Sequence, residues 1–177
     1  MLATSPPYTI RSFCPEDLPA CRKLYNEGLL GGKLAENDTA LDIDDIDSVY
    51  MHHSGNHFWV AQTPPGQIVG MIGVQHHEEG RGQIRRLRVA QDFRRRGIGS
   101  ALLETAVKFC RENQYLKVAM DTFTERESAI EMFRKFGFRH GDTRYFAGKE
   151  LMYFYLDLYS GPPRPHKEDG GFAGISR

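Results

Sequence analysis

The sequence predicts a mixed α/β (α+β) domain: one central, mostly antiparallel sheet with a single parallel strand pair, flanked by helices. Three observations carry that expectation. Three strand-like runs follow one another between residues 57 and 90 with only short turns between them, as in an antiparallel meander. The third run leads into an amphipathic helical pattern and out into another strand, and a strand–helix–strand passage sets parallel neighbours. Lastly, 177 residues without a repeat at solenoid periods suit one domain, large enough to bury roughly 70% of the surface its unfolded chain exposes.

In chain order, residues 1–7 are small and Pro-containing and read as a loose N-terminus. "YTIRSF" is a short strand by its β-branched and aromatic content. "CPEDLPACRKLYNEGLLGG" reads as a helix: Pro15 suits its first turn, Glu16 and Asp17 its positive end, and Gly28 its stop. "AENDTALDIDDIDSVYMHH" places Leu41, Ile43, Ile46, Val49 and Tyr50 at roughly helical spacing among acidic residues, and a second helix is expected with a solvated acidic face. The meander is "HFWVAQ", "QIVGMIGVQ" and "QIRRLRVA", turned by Pro64-Pro65-Gly66 and by "HHEEGRG". A helix then presents Leu102, Leu103, Ala106, Val107 and Cys110 on one face, and "LKVAMDTF" is the strand beyond it. Thr124 and Glu127 have capping-box spacing before a helix that buries Ala129, Ile130, Phe133 and Phe136 and stops at Gly137. Two more strands end at "KELMYFYLDLY", and residues 159–177 read as a flexible Gly/Pro-rich tail. The folded domain is therefore expected over residues 8–158.

Charge and cysteine usage narrow the class. Lys plus Arg equals Asp plus Glu at 23 each, an even balance that argues against a dedicated nucleic-acid binder. Cys14, Cys21 and Cys110 form no CxxC and suggest reduced thiols in a cytoplasmic setting. The N-terminus lacks the charge-then-apolar pattern of an export signal, and no run is apolar enough to cross a membrane. Adjacent histidines at 52–53 and 76–77 lack metal-ligand spacing, so no metal site is expected.

The chemistry is concentrated in "DFRRRGIGSALLE". Here a strand gives way to a helix through Gly97-Ile98-Gly99. The first amides of a helix have no internal partner, and its dipole makes that end positive, so a phosphate is a natural guest. Glycines let the backbone approach phosphate oxygens and adopt conformations closed to other residues. The dinucleotide GxGxxG and the Walker GxxxxGK[ST] are both absent, which leaves a phosphate cradle of a third kind.

"LRVAQDFRRRGIGSALLETAVKFC", then "YLKVAMDT" and "SAIEMFRKFGF", resembles the GNAT superfamily of acetyl-CoA-dependent N-acetyltransferases in motif order and spacing. "RRLRV" and "MDT" are similar to its camello and N-acetylaspartate-synthase-like branch. The resemblance implies a single GNAT-like domain that uses acetyl-CoA as co-substrate and needs no metal. It implies that Leu87, Arg88 and Val89 pair through main-chain groups with the pantetheine arm. It implies that Arg94, Arg95, Arg96, Gly97, Ile98, Gly99 and Ser100 form the pyrophosphate loop, with the arginine side chains free to add phosphate contacts. Phe133 falls on the cofactor side of the second motif.

Two positions depart from the family pattern. Phe133 stands where many members carry a Tyr acid, and Gln83 where several carry a Glu base. Neither can do that proton work. Glu79, with its neighbour Glu78, and Asp121 are the replacement carboxylates, and Tyr145 or Tyr153 could supply the acid. Glu79 and Asp121 are taken as the catalytic candidates. The expected activity is direct acetyl transfer to a primary amine of a small molecule or protein. The alternative is a catalytically weak acyl-CoA-binding module, and a nucleic-acid reading of the arginine runs is the outside rival. A homodimer through the aromatic last strand is compatible with all of these.

Overall fold

The computed structural model describes residues 7–29, 38–78, 80–146 and 148–159. Seven strands form one sheet in the order β1-β2-β3-β4-β5-β7-β6. They are β1 (Thr9–Ser12), β2 (His57–Gln62), β3 (Ile68–His77), β4 (Arg81–Val89), β5 (Lys117–Phe123), β6 (Arg139–Phe146) and β7 (Lys149–Asp157). All neighbours are antiparallel except β4 and β5, which run parallel as the intervening helix requires. The helices are α1 (Leu18–Glu27), α2 (Leu41–Asp44), α3 (Ile98–Glu112) and α4 (Glu127–Lys135). The expected mixed α/β class and its single parallel pair hold, whereas the terminal segments 1–6 and 160–177 lie outside the described residues.

Each face of the sheet carries its own core. On one face α3 buries Ile98, Leu102, Leu103, Ala106, Val107 and Cys110, and α4 buries Ile130 and Phe133, against Val69, Ile72, Val74 and Met120. On the other, Cys21, Leu24 and Tyr25 of α1 pack with Ile43, Ile46 and Tyr50 over Phe58, Val60 and Met71. Burial lifts the Cys21 and Cys110 thiols to about 12, so both are inert packing groups.

Three local expectations change. The first helix opens with a 3₁₀ turn at Pro15–Asp17, where Asp17 accepts the Cys14 amide at 3.0 Å and takes a bidentate grip from Arg11 at 2.7 and 2.8 Å. The second helix is broken: α2 is one turn, Ala40 ahead of it has φ 55°, and a π-helical segment follows at Asp47–Met51. Five aspartates in this stretch favour local side-chain bonds over a long helix, and Asp38 and Asp42 are pulled onto Arg86 instead of being solvated. The Thr124–Glu127 capping box does not form. The Thr124 amide donates to the Glu150 carbonyl at 3.1 Å, and Arg126, not Thr124, is the residue flanking α4. Its C-terminus does match expectation. Gly137 has φ 86°, and the Phe138 and Gly137 amides close back on Phe133 and Arg134, both at 3.0 Å.

Candidate active site

A sheet should pair its neighbours along their whole length, and β4 and β5 do not. Their register covers only Arg81↔Lys117, Gly82↔Val118 and Gln83↔Ala119. Beyond Gln83 the strands part, which leaves main-chain groups of Ile84–Val89 and Met120–Phe123 facing a gap without a ladder partner. A bulge in β4 opens the gap. Gly73 of β3 stands opposite Arg85 and Met71 opposite Arg88, so β4 carries one extra residue, and Arg86 takes it up at φ 60°.

The bulge also resets the alternation of side chains. Gly73 faces the π-helical segment that follows α2, since a Cβ there would meet Tyr50 at 2.7 Å, and Arg85 opposite shares its face. Without the bulge Arg86 and Arg88 would point to the α3 side. With it, Gln83, Arg85, Arg86 and Arg88 all serve the α1–α2 face, while Ile84, Leu87 and Val89 pack with the α3–α4 core. The buried Arg86 guanidinium binds Asp38 at 2.6 and 2.8 Å and Asp42 through Nε at 2.8 Å and again through Nη2. Burial alone would raise both carboxyls, but Arg86 and the Tyr25 and Tyr50 hydroxyls hold them below the usual carboxylate range.

The cleft so formed has a volume of about 310 Å³ and is lined by residues from both splayed strands and, from the α4 side, by Arg126 and Phe133. A larger groove of about 590 Å³ lies between α1 and the β2–β3 turn. Of its charged residues, Arg11 is paired with Asp17 and Lys23 with Glu27, so we place the chemistry in the smaller cleft.

Asp121 faces that cleft from β5, surrounded by its walls yet still reached by solvent. Crowding raises its pKa, opposed by Arg85 and Arg86. Tyr153 is its cross-strand partner on β7 and therefore stands on the same face. The other acid candidate, Tyr145, is exposed on the outer hairpin with its hydroxyl on Glu150 at 2.6 Å. Glu79 lies outside the described residues; Glu78 beside it is exposed at the closed end of the strands and does not line the cleft. Phe133 is buried between Phe138 and Phe154 and closes the cleft from the α4 side.

At the open end of β4 the chain turns through Gln91–Phe93 into the glycine loop. Arg95 has φ 60° and Gly97 φ 81°, and α3 starts at Ile98 with no side chain capping its first amides. Gly97 is needed for its backbone angle. Gly99 is different: a Cβ there would meet Met132 Sδ at 3.5 Å and Val89 Cγ2 at 3.7 Å, ordinary contacts the fold tolerates. Among the described residues nothing in the packing requires Gly99 to lack a side chain. Of the three arginines, Arg94 Nε donates to the Val89 carbonyl at 3.2 Å and Arg96 lies over Phe93 at 5.1 Å. Arg95 is exposed, with no side-chain bond among the described residues. The loop thus offers amides first and side chains second.

A parallel pair splayed at a bulge, with a glycine-led helix at its open end, matches known architecture. A model of the acetyltransferase (GNAT) family matches residues 18–138. The chain belongs to that family. It is similar to zebrafish (Danio rerio) N-acetylaspartate synthetase, 32% identical over 140 residues, which span 77% of this chain and 48% of that one. Human N-acetyltransferase 8 is 34% identical over 110 residues, 59% of this chain and 48% of that one. The chain therefore spans about half the length of these curated relatives. Among solved structures, a GNAT-family acetyltransferase from Staphylococcus aureus superposes with a TM-score of 0.74 at 20% identity, covering 86% of this chain and 99% of that one. The Salmonella typhimurium yncA structure, solved with acetyl-CoA, gives 0.73 at 18% identity, covering 88% and 96%. These two likenesses establish the fold.

The cationic lining was missed in the sequence, which was read for main-chain contacts at Arg88 and gave Arg126 no role. A signal existed. The apolar residues Ile84, Leu87 and Val89 break the two-residue period by one, which is the trace a bulge leaves.

Proposed function

We propose that the protein is an acetyl-CoA-dependent N-acetyltransferase that acts on a primary amine by direct transfer. One observation carries the reading: an uncapped glycine-led helix start stands against the open end of the unpaired stretch of β4, where a Cβ on Gly99 would lie 3.7 Å from Val89 Cγ2. The first suits a diphosphate and the second an extended, amide-bearing arm, so both ends of acetyl-CoA have a seat. Gly99, whose Cβ position is open, fits that seat, and the amides of Ile98, Gly99 and Ser100 would hold the phosphates. Main-chain groups of Leu87 and Val89 would hold the arm. Bound acetyl-CoA supplies an acetyl thioester.

The chain's own residues then handle the amine. The incoming ammonium must lose a proton before its nitrogen can form the C–N bond, and the departing thiolate takes one up as the C–S bond breaks. Asp121 is the proton acceptor we assign, because it is the cleft carboxylate not engaged by Arg86. Tyr153, beside it in register, is the donor candidate, and Gln83 can orient a water between them. A second copy of the chain is the partner we propose for the outer β6–β7 hairpin, where Tyr145 is exposed; sedimentation velocity reads it out.

Calorimetric titration with acetyl-CoA tests the core of this. Binding at micromolar to tens-of-micromolar concentration is expected, and its absence overturns the reading. Gly99→Glu puts bulk and negative charge at the seat and should abolish binding. A second reading, an acyl-CoA-binding module with little turnover, is favoured by Phe133, which is packed in the core without a proton to give. Thiol release across a broad amine panel separates them.

A further inference from the structure

The cleft between the parted strands has two unlike sides. Toward α1 and α2 it presents Gln83, Arg85, Arg86 and Arg88, and Asp121 faces in from β5. Toward α3 and α4 its lining is Ile84, Leu87, Met120, Ala129 and Phe133, all packed with the core on that face and none carrying an ionisable group or a hydroxyl. The amine and its proton belong with the first side. The second is left for the acyl chain of the thioester, the apolar part of the transferred group.

Phe133 bounds that second side and has nowhere to go. It is 3% exposed and lies one helical turn beyond Ala129 on α4. The rings of Phe138 and Phe154 pack against it, with centroids 6.1 and 5.8 Å away. Phe154 is in turn the cross-strand partner of Met120, so both belong to one face of the sheet. The Phe138 amide donates to the Phe133 carbonyl at 3.0 Å, which ties Phe138 to the end of the same helix. A packed interior yields little when extra atoms are forced into it, so a ring held by two other rings is a fixed wall. Without a hydroxyl, Phe133 brings volume to the cleft and no proton chemistry.

We infer that Phe133 is the stop of an acyl seat. It holds the transferred group to acetyl, and a longer acyl chain is refused because its added methylenes would need the space the ring occupies. The inference rests on the acetyltransferase reading for the cofactor and goes beyond it in naming the residue that selects the acyl group.

The test titrates acetyl-, butanoyl- and hexanoyl-CoA calorimetrically, each against CoA itself. The unaltered protein is expected to bind butanoyl-CoA about 10-fold more weakly than acetyl-CoA, and hexanoyl-CoA more weakly still. Phe133→Leu should bring butanoyl-CoA level with acetyl-CoA. Phe133→Ala leaves a hole bounded by Phe138 and Phe154, an apolar cavity of the kind that stays dry and accepts an apolar guest. It should reverse the order to about 10-fold in favour of butanoyl-CoA. Butanoyl-CoA should then also raise the melting temperature of that variant more than acetyl-CoA does. Phe133→Leu keeps most of the core volume and reports even where Phe133→Ala does not fold. Phe109→Leu is the control: it trims a ring packed on His57 and Trp59, away from the cleft lining, and should keep the acetyl preference. Equal affinity for acetyl- and hexanoyl-CoA in the unaltered protein overturns the proposal. So does an acetyl preference retained in folded Phe133→Leu, or the same relaxation in Phe109→Leu. If neither CoA nor any of its thioesters binds, the acetyltransferase reading fails and the stop with it; binding that ignores chain length sinks the stop alone.

Discussion

Single residues of the site differ in whether the protein or a ligand accounts for them. Gly97 is explained by its own backbone: at φ 81° a side chain is strained, and Gly97→Ala should lower stability by about 1 kcal/mol, read by urea denaturation. Gly99 is explained by nothing inside the protein, because a Cβ there makes only ordinary contacts. Gly99→Ala should therefore leave the unfolding midpoint unchanged while weakening acetyl-CoA by about 10-fold in calorimetry, a steric effect at the phosphate seat. Asp121 belongs to the same scale. Its pKa is raised by its crowded position, so kcat/KM should climb through a limb above the ordinary carboxylate range as the base loses its proton. Asp121→Asn should remove that limb and lower kcat/KM by about 10²-fold, measured across a pH series.

Among the elements, β4 does the most for function. One extra residue at Arg86 parts it from β5 and turns a run of arginines onto one face. Arg86, at its left-handed angle, makes ion pairs with Asp38 and Asp42, which tie the strand to α2 and to the residues just before it. Arg86→Ala should leave two depressed carboxylates without their cation and destabilise the protein by about 3–5 kcal/mol in urea unfolding. Acetyl-CoA affinity should fall as well, because the splay loses its brace.

Across the whole molecule the same carboxylates set the response to acid. Asp17, Asp38 and Asp42 each have a folded pKa below the unfolded value, despite burial that would raise it. Their contribution is complete above about pH 4–5, where the unfolded chain is also ionised, and drains away as pH falls through the folded values. The melting temperature should accordingly be flat between pH 6 and 8 and drop steeply below about pH 4. Asp38→Asn should flatten that acid limb. Asp121 acts in the other sense, so Asp121→Asn should not weaken the fold at neutral pH.

Much of this was legible in the chain because it is written in local periodicity. The period of two in "HFWVAQ", the 3.6-residue stripe of α3 and the glycines at the helix start depend on near neighbours alone, as does the left-handed stop at Gly137. They determined the fold class and the succession of strands and helices along the chain, and they single out the glycine-led helix start as the place to expect a phosphate. What the chain did not disclose are pairings between residues some forty to a hundred positions apart: Arg86 with Asp38 and Asp42, and Arg126 with Gly28. The aspartate pairings go with the broken second helix, the Thr124 amide is taken by the Glu150 carbonyl in place of the expected cap, and Arg88 is buried beside another cation. Local sequence determines where backbone can lie. Which charges find a counter-ion within the fold depends on what the tertiary structure brings within reach, because that alone sets burial and counter-ion distance.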